Sequence, residues 1–464
     1  MLFNTTRFFV FLAVVLGLFY ALPQRFRRYL LLAASYFFYA SWNPKFIALL
    51  LTLTAIDYTA GRWLERTAAP GKRKAILVMS LAANLGFLGF FKYYNFAADN
   101  IALALGKPAH SFWLDIVLPL GISFHTFQSI SYVVDVYRGQ QQVVRSPIDY
   151  ALFICFFPQL VAGPIVRARD FFRDLYHWRA PAADEVSRGL FLIALGLTKK
   201  MAFADQFAAV ANAYFGNLAA NPGRLTAWCG VFAFGMQIYF DFSGYTDMAI
   251  GMAKLLGFHF PINFRRPYLA RSITDFWHRW HISLSTWLRD YLYIPLGGNR
   301  DGRSMTYRNL MLTMLLGGMW HGASWNFLIW GGYHGALLSV ERAIRGRREE
   351  RQGWTLLYPL QAIFTFALVL VGWVFFRAAD LRQSVQVIGQ MFTGGPGKML
   401  LQPWHFGLAL VALVVAMVEE QWDAVERLMT APAWAYAAGL AVMLFCLEVF
   451  GVIDASIPFI YFQF

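Results

Sequence analysis

Long apolar runs separated by short loops recur along almost the whole chain. They lie near residues 8–22, 28–42, 46–61, 75–95, 113–134, 148–163, 188–203, 225–251, 309–320, 323–340, 355–376, 404–418 and 433–452. A membrane-spanning helix needs about 20 apolar residues, and several of these runs are shorter. Shorter runs indicate re-entrant or broken helices, whose freed backbone groups are satisfied by protein or by a water-filled cavity. The pattern predicts an all-α polytopic membrane protein with about 11–13 transmembrane and re-entrant helices.

The composition supports a membrane protein. Hydrophobic residues make up 58% of the 464 positions and charged residues 14%, whereas soluble domains carry about a quarter charged residues. The formal net charge is +14, but the lysines and arginines lie in short loops between the apolar runs. Charges in such loops orient a protein against the inner leaflet of a membrane. We therefore expect the chain to lie in a lipid bilayer and to have no nucleic acid partner.

The basic loops predict how the chain is oriented. Arg25–Arg28 follows the first apolar run and Arg62–Lys74 follows the third, whereas Lys45 is the single basic residue between the second and third runs. Cytoplasmic loops carry an excess of lysine and arginine. The N-terminus and the Asn95–Phe112 loop are therefore expected outside, and Arg62–Lys74 and Arg342–Arg351 in the cytoplasm.

The segment Ser272–Pro295 is polar for its surroundings and has a helical repeat. The apolar residues of this repeat are Ile273, Trp277, Trp280, Leu284, Trp287, Leu288 and Tyr291. At about 100° per residue, His281 falls inside this stripe while Asp275 and Arg279 lie opposite, so a single helix would direct the His281 ring into the protein. On spacing alone, a core histidine bonded to a backbone carbonyl is an equally good interpretation.

His278 and His281 have the spacing of two metal ligands on a helix. A protein zinc site needs further ligands, and no acidic or cysteine residue lies at ligand spacing nearby. We therefore expect no metal site.

A second histidine lies in a glycine- and tryptophan-rich stretch, Gly317–Gly335. His321 separates two apolar runs, and Trp320, Trp325 and Trp330 could form walls around it. A desolvated imidazole stays neutral and can accept a proton from an attacking hydroxyl, in a dry pocket that strengthens the stabilisation of an oxyanion. The alternative is tight helix packing through small residues, with the histidine bonding two helices. The same structural reading is favoured for His334.

Two intramembrane carboxylates, Asp241 and Asp247, are six residues apart and face different sides of a helix. A two-carboxylate mechanism is therefore not expected, and Asp247 shares a face with Lys254, with which it can pair. Gly163-Pro164 is predicted to break a helix, and short broken helices are also expected near Gly317-Gly318. The sequence has no Gly-x-Ser-x-Gly elbow, Walker loop or dinucleotide loop, so serine hydrolase, ATPase and redox functions lack support.

Several sequence blocks from about Leu118 to Gly335 carry a family resemblance. They are Pro119-Leu-Gly-Ile-Ser-Phe, Ser131-Tyr-Val-Val-Asp-Val-Tyr-Arg, Phe157-Pro-Gln-Leu-Val-Ala-Gly-Pro-Ile, Asp241-Phe-Ser-Gly-Tyr-Thr-Asp-Met, Phe276-Trp-His-Arg-Trp-His-Ile-Ser-Leu and Met319-Trp-His-Gly. In this order they resemble the membrane-bound O-acyltransferases, and within that family the bacterial alginate O-acetyltransferase branch. His278 stands where the family has arginine, and Arg265-Arg266 stands where the family has Asn and a polar residue. These departures bear on which subfamily the chain resembles and which acceptor it would use.

The resemblance implies a fold and a site. His321 matches the catalytic histidine of the family and His281 its second active-site position. The implied fold is a ring of tilted helices around a thinned central core, crossed by a tunnel between a cytoplasmic donor and an external acceptor. We expect one domain over 1–464, with N-terminal helices at 1–115, a catalytic core at 116–340 and C-terminal helices at 341–464. Residues expected to line the tunnel are Trp277, Trp280, Ser285, Trp320, Trp325 and Asn326.

The resemblance also implies the reaction. We expect an O-acyltransferase of the inner membrane that moves an acyl group, here acetyl, from a cytoplasmic thioester such as acetyl-CoA to hydroxyls of an exported polysaccharide of the alginate or cellulose type. No bound cofactor is expected, and external acetyltransferase proteins are expected partners. The alternatives are D-alanyl transfer to teichoic acid, peptidoglycan O-acetylation, or a proton-coupled transporter or flippase. A transporter of the inverted-repeat type would show matching halves, and none is found.

Overall fold

A computed structural model describes residues 1–161, 163–345, 356–452 and 459–460. Across these ranges every regular element is a helix, which confirms the all-α prediction. The chain divides into two compact units, one formed by residues 1–193 and 248–261 and the other by 194–247 and 262–464.

The first unit contains the N-terminal helices. They are α1 Thr6–Ala21, α2 Gln24–Ala40, α3 Phe46–Arg66, α4 Pro70–Leu88, α5 Tyr94–Ala104, α6 Ile122–Tyr137, α7 Pro147–Cys155, α8 Phe157–Leu160, α9 Ala168–Tyr176 and most of α10 Ala183–Thr198. A π-helical turn, Gly89–Tyr93, continues α4 into α5. The core of this unit includes a polar cluster in which Asp57 accepts hydrogen bonds from Ser80 and Asn84.

The second unit contains the predicted histidine site. Its helices are α11 Asp205–Gly216, α12 Arg224–Leu255 up to residue 247, α13 Ile273–Arg279, α14 Ile282–Leu288, α15 Gly302–His321, α16 Trp325–Arg345, α17 Tyr358–Arg377, α18 Leu381–Thr393, α19 Pro403–Trp422, α20 Ala424–Met429 and α21 Ala433–Phe450. π-Helical turns at Lys199–Ala204 and Arg289–Tyr293 extend α10 and α14. The predicted basic cluster Arg342–Arg351 lies outside the described residues from position 346 onward.

Four helical segments of the described chain are long and apolar enough to cross a membrane. They are Pro70–Ala104, Tyr358–Arg377, Pro403–Trp422 and Ala433–Phe450, and α1 is apolar but shorter. Some of the other predicted runs form shorter or interrupted helices, as the run 148–163 does in α7 and α8, whereas α3, α12 and α16 have 21, 32 and 21 residues. The membrane character that the sequence predicts is therefore present, while the ring and the tunnel stay predictions.

The two predicted helix breaks have different outcomes. Near Gly163-Pro164 the prediction is confirmed, since α8 ends at Leu160 and α9 begins at Ala168. Near Gly317-Gly318 the break comes a few residues later than the glycines, because α15 continues through both of them to His321 and α16 begins at Trp325. Two glycines weaken a helix but do not end it when neighbouring groups pack against them.

Candidate active site

His321 is the last residue of α15 and lies among aromatic rings. Its side chain is 5% exposed. The imidazole centroid lies 4.9 Å from the ring of Trp320, 5.1 Å from Trp330 and 5.1 Å from Phe376, and the ring of Phe327 stacks on it at 6.5 Å. The surroundings of the ring are apolar, so electrostatic interactions with a reacting group would be screened little.

Close packing of α15 against α16 places His321 among these aromatic rings. A methyl group at Gly318 would overlap the carbonyl oxygen of Phe327, and one at Gly331 would overlap that of Met314. The small-residue packing considered as an alternative is therefore present. It brings the end of α15 against the aromatic face of α16, so packing and site formation occur together.

His281 lies at a break in the polypeptide, where the sequence predicts a continuous helix. Helix α13 begins after Ser272, whose side chain accepts the N–H of Asp275, and it ends at Arg279. Helix α14 starts at Ile282, and His281 between the two has φ 44° and ψ 54°. The single-helix prediction is wrong, although the ring is buried as predicted, with 0% of the residue exposed. Few non-glycine residues adopt these left-handed dihedrals, which cost energy and occur often at functional sites.

Asn263 orients the His281 ring, although no motif or helical repeat in the sequence points to it. Its side-chain oxygen Oδ1 lies 3.2 Å from Nδ1 of His281, and the same oxygen accepts hydrogen bonds from the backbone N–H (3.1 Å) and the hydroxyl (2.9 Å) of Ser283. Because the Ser283 N–H can only donate, this amide atom is the oxygen, and Nδ1 carries the proton that it accepts. The second nitrogen, Nε2, is then the basic one. The signal in the sequence is a polar residue between Ile262 and Phe264 in an otherwise apolar stretch.

A single indole contacts both predicted histidines. The ring centroid of Trp320 lies 6.2 Å from that of His281 and 4.9 Å from that of His321. Trp320 is 4% exposed. The structure therefore brings His281 and His321, which are forty residues apart in sequence, into contact with one buried ring.

Trp277 and Trp280 belong to the same aromatic cluster. Trp280 is 1% exposed and packs on Phe276 at 5.6 Å and on Trp373 at 4.9 Å. Trp277 contacts the indole of Trp330 at 5.7 Å. Trp277 is therefore linked to His321 through Trp330, and Trp280 directly precedes His281 in the chain. Their role as tunnel lining stays a prediction.

The remaining predicted lining residues lie in different surroundings. The Ser285 hydroxyl donates to the backbone carbonyl of Trp280 (3.2 Å). Asn326 is buried and donates through Nδ2 to the carbonyl of Ala378 (2.9 Å). Trp325 starts α16 with 52% of its surface exposed. The residues of this helix that contact the His321 ring are Phe327 and Trp330.

His334 is enclosed by aromatic rings one helical turn after Trp330. Its ring lies 6.2 Å from Phe276, 5.2 Å from Trp277 and 5.0 Å from Trp330, and Gly372 approaches its Nε2 closely. Neither ring nitrogen has a hydrogen-bond partner among the described residues. The predicted structural role is compatible with this packing, but the contact is aromatic rather than an interhelical hydrogen bond.

Asp241 has a buried lysine partner, Lys200, that helical spacing did not predict. Lys200 Nζ lies 2.8 Å from Asp241 Oδ1 and 2.7 Å from Asp205 Oδ1, and all three side chains are 1% exposed. Asp241 also accepts the backbone N–H of Ile460 (2.7 Å). Two adjacent lysines inside an apolar run were the signal in the sequence, since such residues require a partner in a membrane protein.

Asp247 pairs with Lys199 instead of the predicted Lys254. Lys199 Nζ lies 2.6 Å from Asp247 Oδ2. Helical spacing correctly predicted that Asp247 has a lysine partner. It relates residues of one helix only, however, and could not point to a lysine 48 positions away. Each carboxylate thus has its own lysine, which fits the expectation that the two do not act together.

Comparison with known proteins places this arrangement in a family. The model of the membrane-bound O-acyltransferase family matches residues 76–378, which include both histidines and the aromatic cluster around them. The chain belongs to the membrane-bound O-acyltransferase family. It is accordingly an O-acyltransferase and a multi-pass membrane protein, and the transporter alternative is set aside.

Two relatives match most of this membrane-bound O-acyltransferase, and a third matches about half of it. It is 46% identical to the "Probable alginate O-acetylase AlgI" of Pseudomonas putida, with 90% of this chain and 86% of the relative covered. It is 40% identical to the peptidoglycan O-acetyltransferase of Helicobacter pylori, over 84% and 80% of the two chains. It is 30% identical to the teichoic acid D-alanyltransferase of Bacillus subtilis, over 55% and 68%.

Proposed function

We propose that the protein transfers an acetyl group from a thioester made in the cytoplasm, such as acetyl-CoA, to hydroxyls of an exported cell-surface polysaccharide of the alginate or cellulose type. The alginate O-acetylase name of the relative with 46% identity supports this acceptor. The acceptor is completed outside, so the enzyme would lie in the inner membrane and act with external acetyltransferase proteins.

The observation that carries the mechanism is the contact of Trp320 with both histidines. Two side chains that act in the same chemical step must both lie close to the reacting atoms. His321 acts as the general base, and His281, held by Asn263, orients the donor carbonyl or the acceptor.

The reaction proceeds by attack of the acceptor hydroxyl on the thioester carbonyl. His321 takes the hydroxyl proton as the new C–O bond forms, and the C–S bond breaks when the tetrahedral intermediate collapses. The protonated imidazole then returns the proton to the departing thiolate. The tryptophans and phenylalanines around the ring exclude water, which protects the thioester from hydrolysis.

Replacement of His321 by alanine tests the assignment. Proton transfer by a positioned base is worth about 10²–10⁴-fold in rate, so His321→Ala should abolish surface acetylation with expression and detergent stability close to wild type. His281→Ala should also lower acetylation strongly. The control is His278→Arg, which alters an exposed residue and should leave acetylation unchanged.

Parallel loss of stability and acetylation in His321→Ala would assign the residue to helix packing and contradict the proposal.

The acceptor is tested separately. Membranes containing the protein should transfer labelled acetyl groups to an alginate or cellulose oligosaccharide. Preferential labelling of peptidoglycan, or transfer of D-alanine to teichoic acid, would support the functions that the other two relatives are named for.

A further inference from the structure

The first unit contains a cleft far along the chain from the histidine residues. It has a volume of about 380 Å³, which is within the range of about 300–1,000 Å³ typical of small-molecule sites. We call it the arginine cleft, and its charged, polar and indole side chains include Gln24, Arg25, Arg27, Arg28, Asp149 and Trp178.

Trp178 holds one arginine of the cleft in place. The guanidinium carbon of Arg27 lies 4.2 Å from the Trp178 ring centroid and 5.0 Å from that of Phe19. The indole N–H donates to the carbonyl of Leu256 (2.8 Å), and Gly257, at φ +81°, leaves room for the indole. A guanidinium fixed on aromatic rings is pre-organised to bind an anion.

The cations of the cleft exceed its anions. Asp149 is the carboxylate among the lining residues, and its Oδ1 lies 3.5 Å from Nη1 of Arg28. Three arginines therefore face one carboxylate. The Nη1 atom of Arg27 is buried and has no hydrogen-bond partner among the described residues.

The arginines also lie at the wrong end of a helix for their charge. Arg25, Arg27 and Arg28 occupy the first turns of α2, which has no acidic residue in its first turn and no side-chain hydrogen bond at its N-cap. A helix N-terminus carries a partial positive charge and binds anions favourably. A bound anion would therefore satisfy the arginines and the free N–H groups of the helix together.

From these observations we infer that the arginine cleft binds a phosphate group on the cytoplasmic side of the membrane, where the basic loop is predicted to lie. Arginine binds phosphate oxygens with two parallel hydrogen bonds, and the aromatic walls accept the apolar part of a larger ligand. Two sources carry this chemistry. One is the phosphate-bearing portion of a CoA-type donor, which would rest on the proposed function, and the other is the headgroup of an anionic phospholipid.

Binding of radiolabelled pyrophosphate to the full-length protein in detergent tests the cleft. Arg28→Ala and Arg25→Ala should each weaken binding about tenfold, because each removes a charge-assisted hydrogen bond. Asp149→Asn should strengthen binding, because it removes the competing carboxylate. Arg66→Ala is the matched control, since it removes the same charge from the same predicted face outside the cleft, and it should leave binding unchanged.

Competition identifies the source of the phosphate. Displacement of pyrophosphate by CoA assigns the cleft to the donor. Binding of pyrophosphate in phosphatidylcholine nanodiscs but not in phosphatidylglycerol nanodiscs, with no displacement by CoA, assigns it to a lipid headgroup.

Equal binding of pyrophosphate by wild type, Arg25→Ala, Arg28→Ala and Asp149→Asn, or no binding by the folded wild type, would overturn the inference. His321→Ala distinguishes this failure from failure of the proposed function, because it should bind pyrophosphate normally while losing acetyl transfer.

Discussion

At the scale of one residue, the orientation of the His281 ring depends on its own backbone conformation and on the side chain of Asn263. Its left-handed dihedrals turn the polypeptide between α13 and α14, and the side-chain oxygen of Asn263 then meets its Nδ1. The oxygen is itself held by two donors from Ser283. The ring is therefore oriented by a residue that precedes it by eighteen positions.

Replacing Asn263 should affect catalysis more than folding. Asn263→Ala leaves the His281 ring free to rotate, and a misplacement of about 1 Å costs about 10²-fold in rate. We expect kcat to fall by about that factor with KM little changed, measured as acetyl transfer in membranes. Ser283→Ala removes one donor to the same oxygen without touching the ring, so it should retain most activity. A similar loss in both variants would indicate a structural role.

At the scale of elements, glycines let α15 and α16 approach. A methyl group at Gly318 would meet the Phe327 carbonyl and the Gly331 backbone, whereas one at Gly332 would lie 3.5 Å from Leu315 Cδ2, an ordinary contact. Alanine would add the same methyl group at both positions, but only at Gly318 would this group overlap the neighbouring helix.

Gly318→Ala should destabilise the protein by about 1–3 kcal/mol, since an overfilled interface forces backbone shifts. Gly332→Ala should be neutral or slightly stabilising, because alanine favours helix over glycine. Thermal unfolding in detergent measures both. Equal effects would show that helix propensity, and not the interface, decides stability.

The ion pairs of Lys200 join the π-helical turn Lys199–Ala204, α11 and α12. Lys200→Met would leave Asp205 and Asp241 buried without their cation, and breaking a buried pair costs about 3–5 kcal/mol. Asp205→Asn keeps the Lys200–Asp241 pair and should cost much less. Detergent denaturation midpoints test the order, and equal losses would contradict it.

At the scale of the whole molecule, the segment Pro70–Ala104 runs from the Arg62–Lys74 loop, predicted in the cytoplasm, into the Asn95–Phe112 loop, predicted outside. Its 35 residues would extend for about 50 Å as a helix, more than the roughly 30 Å of hydrocarbon. Lys72 lies at one end of this segment, and Lys107 follows its other end.

Labelling of intact cells tests the predicted orientation. An impermeant thiol reagent should modify Lys107→Cys but not Lys72→Cys, because the basic loop is expected in the cytoplasm. A background in which Cys155, Cys229 and Cys446 are replaced provides the control. The reverse pattern would overturn the orientation and the outward direction of transfer.

The sequence by itself determined the membrane character, the helical class, the family resemblance and the location of His321 between two apolar runs, because these depend on local hydrophobicity and on contiguous motifs. It also indicated the burial of His281 from one helical repeat. The tertiary structure alone decided the break before α14 and the contact of Asn263 with His281. It also decided that Asp247 pairs with Lys199 and that Trp330 contacts His321. These depend on which helices pack together, and residues far apart in sequence carry no shared periodicity that would reveal such contacts.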